Sequence, residues 1–338
     1  MPPSQSIIHT QDSYGLRPEA SAFPMMLVLS FVYPCNAHCP HCPYTNSNIR
    51  KEYQDAPFMP APLFRKIADE AGRYGALLRI SGGGEPMLHP EATDLLVYAK
   101  AAGAQIGLIT NGSRFDEEST RRLIAAGVDM IEISVDACTA EDYARVRPGL
   151  KWQVLVDTVR RMVAMRRSAG SASKIVCSAV SQQGIDIDRV EEFWVGTIGV
   201  DALIKRKFLT WGSNTSLDDS RSADPAPYLD TGETPCPFIF ERLNIDSRGN
   251  VMVCGYDIAG RTSMGNVTNQ SISDIWLGPE FELYREKHLT GRGTELALCA
   301  ECPDWKYRSW QHNYWKVMAT ADQARARKIA EMDAADAV

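Results

Sequence analysis

Apolar positions fall into short runs separated by turn residues, and stretches of helical spacing lie between the runs. Met26-Leu-Val-Leu-Ser-Phe-Val32 is almost continuously apolar, as a strand covered on both faces must be. Residues 61–72 follow with helical spacing and a glycine stop. Strands are then predicted at 77–80, 105–110, 130–135, 174–180 and 203–208, with helices at 91–101, 115–126, 153–168 and 187–195. Strands alternating with helices predict parallel units, about six before residue 210 and too few for a closed eight-fold barrel. Residues 25–211 are therefore read as a partial barrel preceded by an extension at 1–24.

The pattern changes beyond the barrel. Residues 212–235 are rich in Gly, Ser, Asp and Pro and read as a linker or flexible substrate loop. Leu243-Asn-Ile-Asp and Val251-Met-Val-Cys alternate around Asp246-Ser-Arg-Gly like a hairpin, inside a second domain spanning 236–310. Aromatics at 307–315 are expected to pack that domain, and residues 311–338 form a helical tail.

With 338 residues, the chain can hold one barrel-sized domain and a smaller one. Its 44% hydrophobic and 23% charged residues are those of a soluble globular protein. A net charge of −6 argues against a nucleic-acid partner but leaves a cationic substrate open. No apolar stretch approaches the ~20 residues of a membrane span, and Met1-Pro-Pro-Ser-Gln-Ser lacks the features of a secretory signal. A cytoplasmic location is expected. There, nine cysteines are better metal ligands than disulfide partners.

Cys35, Cys39 and Cys42 stand at C-x3-C-x2-C directly after the first strand, so one loop can wrap three thiolates around an inorganic cluster. A [4Fe–4S] cluster usually takes four thiolates, so a triad leaves one iron open. A zinc site completed by His38 or His41 is the alternative. Cys236, Cys254, Cys299 and Cys302 follow at C-x17-C-x44-C-x2-C, with Gly249 completing a G-x4-C approach to Cys254. Four thiolates can close a second cluster, or hold a zinc ion. Gly83-Gly84-Glu85-Pro86 ends the second strand, where backbone can approach a ligand closely; a simple turn is the plain reading.

Together these motifs resemble the radical S-adenosylmethionine (radical SAM) superfamily over roughly residues 26–310. Four cysteines in the second set resemble the shortened, twitch form of the SPASM domain. The spacing is most similar to that of the 2-deoxy-scyllo-inosamine dehydrogenase family of aminoglycoside biosynthesis. The resemblance implies a partial (β/α)6 TIM-like barrel with a small C-terminal auxiliary iron–sulfur domain. It implies two [4Fe–4S] clusters, S-adenosylmethionine, and a flavodoxin- or ferredoxin-type electron donor. It places Gly83, Gly84, Glu85 and Pro86 on the methionyl amino group and Ser134 on the ribose or carboxylate, with Asp136 and Arg147 as weaker contacts. The family often has an aromatic residue before the third cysteine that packs on adenine. Here His41 stands there, with Tyr44 just beyond.

The activity so implied begins with a 5′-deoxyadenosyl radical that takes a hydrogen atom from an unactivated C–H. A fully ligated auxiliary cluster suits the onward transfer of an electron. The leading expectation is therefore oxidation of a secondary alcohol to a ketone in a sugar-like substrate, an aminocyclitol, aminoglycoside or nucleoside, in antibiotic biosynthesis. Alternatives are a radical epimerase, a sugar-acid decarboxylase, a peptide-modifying SPASM enzyme and, outside enzymes, a zinc-binding adaptor. Lys205, Arg206 and Lys207, at a strand end, are candidates for deprotonating substrate or binding an anionic group. Alternation puts Lys205 and Lys207 on one face and Arg206 on the other. Cys177 and Cys138 are spare thiols that an epimerase could use as hydrogen donors. Trp211 could stack on a sugar or cap the core.

Overall fold

A computed structural model describes residues 20–45, 49, 51, 53, 55–206, 208, 235, 236, 238–258, 260–300 and 302. Lys207, Trp211, nearly all of the 212–235 loop, the 307–315 aromatics and the 311–338 tail lie outside the described residues.

The predicted alternation is present. Strands β1 (Met26–Ser30), β2 (Leu77–Ser81), β3 (Gln105–Thr110), β4 (Met130–Ser134), β5 (Lys174–Val180) and β6 (Ala202–Arg206) pair in parallel, each with the next in sequence. Between them run α1 (Ala61–Tyr74), α2 (Ala92–Ala101), α3 (Glu117–Ala125), α4 (Ala140–Val146), α5 (Trp152–Ser168) and α6 (Ile187–Glu191). α4 has only two turns, too short to show a hydrophobic period, and was not expected. Its Thr139 side chain caps it by accepting from Asp142 N. α1 runs past the expected stop at Gly72. Gly75, in the left-handed conformation at φ 61°, ends it instead. Gly72 is a packing residue, since a Cβ there would lie 2.1 Å from the Ala102 carbonyl oxygen.

One pairing was not legible in the sequence. β7 (Arg242–Ile245), which follows the short helix α7 (Phe238–Glu241), pairs in parallel with β1, in register from Met26↔Arg242 to Leu29↔Ile245. β8 (Asn250–Met252) then pairs antiparallel with β7, and β9 (Gly265–Asn266) with β8. The expected hairpin is present, and its first strand also extends the barrel sheet. Among the described residues, nine strands form one sheet in the order β6-β5-β4-β3-β2-β1-β7-β8-β9. Helices α8 (Ile272–Trp276) and α9 (Pro279–Leu289) cover its far end. Part of the expected N-terminal extension is core instead. Phe23 is buried and stacks on Tyr74, and Trp276 Nε1 donates to the Ala20 carbonyl at 2.7 Å.

Strand alternation divides the barrel in two. Met26, Leu77, Met130, Val176 and Ile204 point inward and form a small apolar plug. One step further along each strand axis the inward positions turn polar: Arg79, Glu132, Ser178 and Arg206 face a cavity. The outward positions, Ile131, Ile133, Ile175, Cys177 and Leu203 among them, pack under the helices. No described helix is long and apolar enough to cross a membrane.

Leu243 is fully buried in β7. Leu243→Ala should cost about 2–5 kcal/mol of unfolding free energy. Because β7 is bonded to β1, amide hydrogen exchange in β1 and β2 should accelerate as well. An independently folding C-terminal unit would leave those barrel strands unchanged.

Candidate active site

The cysteine loop leaves the end of β1 and is pinned at its base. Phe31 is buried, stacked on His89 with ring centroids 4.4 Å apart, and His89 Nε2 meets the Met59 carbonyl at 2.9 Å. Tyr33 stacks on Tyr53 at 4.0 Å. The glycine run after β2 lies against this loop. A Cβ at Gly83 would lie 2.1 Å from the Tyr33 ring, and one at Gly84 would lie 2.2 Å from the Pro34 carbonyl oxygen. Glu85 N donates to that same carbonyl at 3.0 Å. In this structure Gly83 makes room for the Tyr33 ring and Gly84 for the backbone of the cysteine loop.

Glu85 is buried, and its carboxylate is fully engaged. Oε1 accepts from Met87 N at 3.0 Å and Thr110 Oγ1 at 2.6 Å, while Oε2 accepts from Asn111 N at 2.7 Å. Burial pushes its pKa up, and these hydrogen bonds pull the other way. Its side chain ties the end of β2 to the end of β3. Asn111 continues the link by donating to Asn36 Oδ1 at 2.9 Å within the cysteine loop. Pro86 is buried and starts a short turn.

A second strut comes from β4. Asp136 is buried, with φ of 55°, and its Oδ1 accepts from Val180 N at 2.8 Å. Its Oδ2 lies 2.6 Å from Arg147 Nη2 and 3.3 Å from His41 Nε2. Arg147 Nη1 approaches Cys39 Sγ at 3.7 Å. Burial works against the charge of Arg147, but Asp136 and then Cys39 outweigh it and raise its pKa. Ser134 lines the cavity beside this group.

Burial raises the pKa of all three loop thiols, Cys42 to about 12. A thiolate is the form that binds metal, and this loop offers means to hold one. Ala37 N donates to Cys35 Sγ at 3.4 Å, and Arg147 supplies a cation beside Cys39. Three thiols with N–H and guanidinium donors fit an anionic iron–sulfur cluster. Among the described residues no three His, Cys, Asp or Glu side chains converge on a single-ion position. A cubane spreads its thiolates farther apart than one zinc ion does.

Cys236, Cys254, Cys299 and Cys302 come together around one small cavity with Phe238, Ile239, Val253, Tyr256, His288 and Leu298. Among the described residues of that lining, and apart from the cysteines, only Tyr256 and His288 have polar side chains. Tyr256 N donates to Cys254 Sγ at 3.3 Å, and burial pushes Cys299 up to about 12. The hairpin turn is set by Asp246, whose Oδ1 accepts from Arg248 N and Asn250 N at 2.8 Å, and by Gly249 at φ 85°. The G-x4-C spacing thus delivers Cys254 from a tight turn.

A single cavity of about 810 Å³ joins the two regions. Its wall includes Cys35, Cys39, His41, Cys42, Gly83, Gly84, Ser134 and, at the other end, Cys254. Other expected residues are placed elsewhere. Lys205 points out of the barrel and pairs with Asp188 at 2.6 Å and Glu191 at 2.8 Å. Arg206 points inward and pairs with Glu132. Cys177 faces the helices in the core, where burial raises its thiol pKa well above the ordinary value. Cys138 is packed against the same core, and neither spare thiol lines the cavity. Arg79, Glu132, Arg242 and Asn244 do line it and were not singled out in the sequence. The inward phase of each strand was the only signal that could have found them.

The profile of the Radical SAM superfamily matches residues 29–176, and that of the SPASM iron–sulfur cluster-binding domain matches residues 236–303. The chain is a radical SAM enzyme of the SPASM type, with a partial parallel barrel and a C-terminal cluster domain. Its cofactors are [4Fe–4S] clusters and S-adenosylmethionine.

Among its relatives is a PqqA peptide cyclase of Xanthomonas campestris pv. campestris. It is 25% identical over 315 residues, covering 83% of this chain and 81% of that one. Similar solved structures include BtrN in complex with AdoMet and 2-DOIA, at TM-score 0.54 and 17% identity, covering 82% of this chain and 92% of that one. Streptococcus suis SuiB bound to its precursor peptide SuiA has TM-score 0.65 and 15% identity, with 85% and 71% covered.

Replacing Cys35, Cys39 and Cys42 together by Ala should leave about four of about eight irons per chain after anaerobic reconstitution. Replacing the four later cysteines should give the complementary loss. Iron and sulfide analysis reads both, and stoichiometric zinc without iron in the unaltered protein would contradict the assignment.

Proposed function

We propose that this enzyme oxidises a C–H bond of a small, sugar-like substrate, turning a secondary alcohol into a ketone. The observation that carries this reading is the continuous cavity between the Cys35–Cys42 loop and Cys254. Cys35, Cys39 and Cys42 would hold one cluster, and Cys236, Cys254, Cys299 and Cys302 the other. When loaded, the first site with S-adenosylmethionine supplies hydrogen-atom abstraction, and the second supplies a one-electron acceptor.

The chain's own residues set the geometry. Gly83, Gly84 and Ser134 line the end beside the triad, where the methionyl and ribose parts would lie. His41 and Tyr44 line the same region and offer faces for adenine. The cavity is large enough for a cofactor and a second small molecule together, which fixes the reacting carbon near the abstractor. Tyr33, Tyr44 and Tyr53 wall one side with rings 4.0–5.9 Å apart and limit water. Of the strand-end cations among the described residues, Arg206 lines the cavity and Lys205 does not, and a guanidinium cannot serve as base at ordinary pH. It suits anion binding.

Peptide modification is the second reading. The PqqA peptide cyclase relative favours it, since its match extends over 83% of this chain.

Anaerobic incubation with S-adenosylmethionine, reductant, aminocyclitols, glycosides and short peptides should show 5′-deoxyadenosine together with loss of two hydrogens from a carbinol substrate. Mass-neutral turnover would replace oxidation by epimerisation, and loss of carbon dioxide would indicate decarboxylation. A cross-linked peptide product would establish the second reading. In the same assay Cys177→Ala should turn over within about twofold of the unaltered enzyme, because buried thiols away from the site act as inert core.

A further inference from the structure

Phe281, Arg285 and His288 form the buried face of α9. His288 lines the small cavity shared by Cys236, Cys254, Cys299 and Cys302, and its Nδ1 accepts from Cys236 N at 3.4 Å. Arg285, one turn earlier, reaches the wall of the same cavity from behind. Its Nε donates to the carbonyl of Ile239 at 3.0 Å, and Ile239 is one of the lining residues.

Arg285 is 7% exposed, with its guanidinium over the Trp276 ring at 4.1 Å and the Phe281 ring at 5.2 Å. Its Nη2 is buried and has no hydrogen-bond partner. Glu282 attracts it through space but is exposed and does not pair with it. Burial lowers its pKa to about 10, so the group stays charged near neutral pH. Two other arginines are buried among the described residues, and both have a carboxylate. Arg147 pairs with Asp136, and Arg242 pairs with Glu241. A buried charge without such a partner is costly, and aromatic faces replace only part of its lost hydration.

We propose that the Arg285 guanidinium is the buried counter-charge for the cluster held by Cys236, Cys254, Cys299 and Cys302, and that it raises the reduction potential of that cluster. A [4Fe–4S] cluster closed by four thiolates is anionic, and it gains a further negative charge on reduction. A fixed cation nearby favours the reduced state. The two sites differ in this respect. At the triad the charge of Arg147 is offset by Asp136, whereas Arg285 keeps its charge whole. That difference sets the second site at the higher potential, as an electron acceptor needs. Arg285 acts through its field on the cluster and does not touch substrate. The inference rests on the acceptor role proposed above and supplies a physical cause for it.

The test uses the full chain with Cys35, Cys39 and Cys42 replaced by Ala, reconstituted anaerobically so that only the second site loads. Reductive titration is followed by electron paramagnetic resonance of the reduced cluster. In this background Arg285→Gln keeps a donor for the Ile239 carbonyl and loses the charge. At a fixed potential near the midpoint, its ratio of reduced to oxidised cluster should fall about threefold or more, while Arg285→Lys should stay within about twofold. Thermal unfolding of the cluster-free chain should come no earlier in Arg285→Gln, because the variant removes an unpaired buried charge.

An unmoved midpoint in Arg285→Gln overturns the proposal, as does an equal fall in Arg285→Lys. Loss of iron from Arg285→Gln but not from Arg285→Lys supports the counter-charge, and loss from both overturns it in favour of a packing role. A shifted midpoint with no oxidised product in the turnover assay keeps the role of Arg285 and removes the proposed oxidation. Oxidised product with an unmoved midpoint does the reverse.

Discussion

The parallel pairing of β1 with β7 is the constraint on which the site depends. β1 runs directly into the Cys35–Cys42 loop, and β7 turns through Gly249 into β8 and Cys254. The Cys35–Cys42 loop leaves the carboxyl end of β1, β8 returns antiparallel beside β7 to deliver Cys254, and both cysteine regions open on the same cavity. Backbone hydrogen bonds, which are costly to leave unmade in a sheet interior, thereby fix a distance that no side-chain contact could hold as firmly.

Around that frame, buried polar groups act as struts. Glu85 links the ends of β2 and β3, and Asp136 links β4, Arg147 and His41. Each carboxylate is desolvated, and each is compensated by two or three specific donors, the condition under which a buried charge is tolerable. The rigidity so obtained is what a radical reaction requires, since a reactive intermediate takes whichever C–H lies nearest. The site is held by the same groups that make it expensive to misfold.

The strand–helix alternation, the cysteine spacings and the Gly83–Pro86 turn were readable directly, because each is a local pattern with a local cause. Thiolates within one loop can share one cluster, and a strand's apolar run is visible without its neighbours. Glu85 was found for a different reason from the one that the structure shows: its motif marks the site, while its side chain braces the cysteine loop. Lys205 and Arg206 were separated correctly by alternation, but which of them faced inward required the sheet's curvature.

Arg79, Glu132, Arg242 and Asn244 remained hidden because they are spread over three strands that are far apart in sequence. Single charged residues within apolar runs carry no motif, and they become a cluster only when the barrel closes around them. By itself the sequence determined the chemistry at hand, since cysteine spacing and glycine placement depend on neighbours along the chain. Only the tertiary structure decided what that chemistry faces, because strand pairing and inward phase are relations across the sheet.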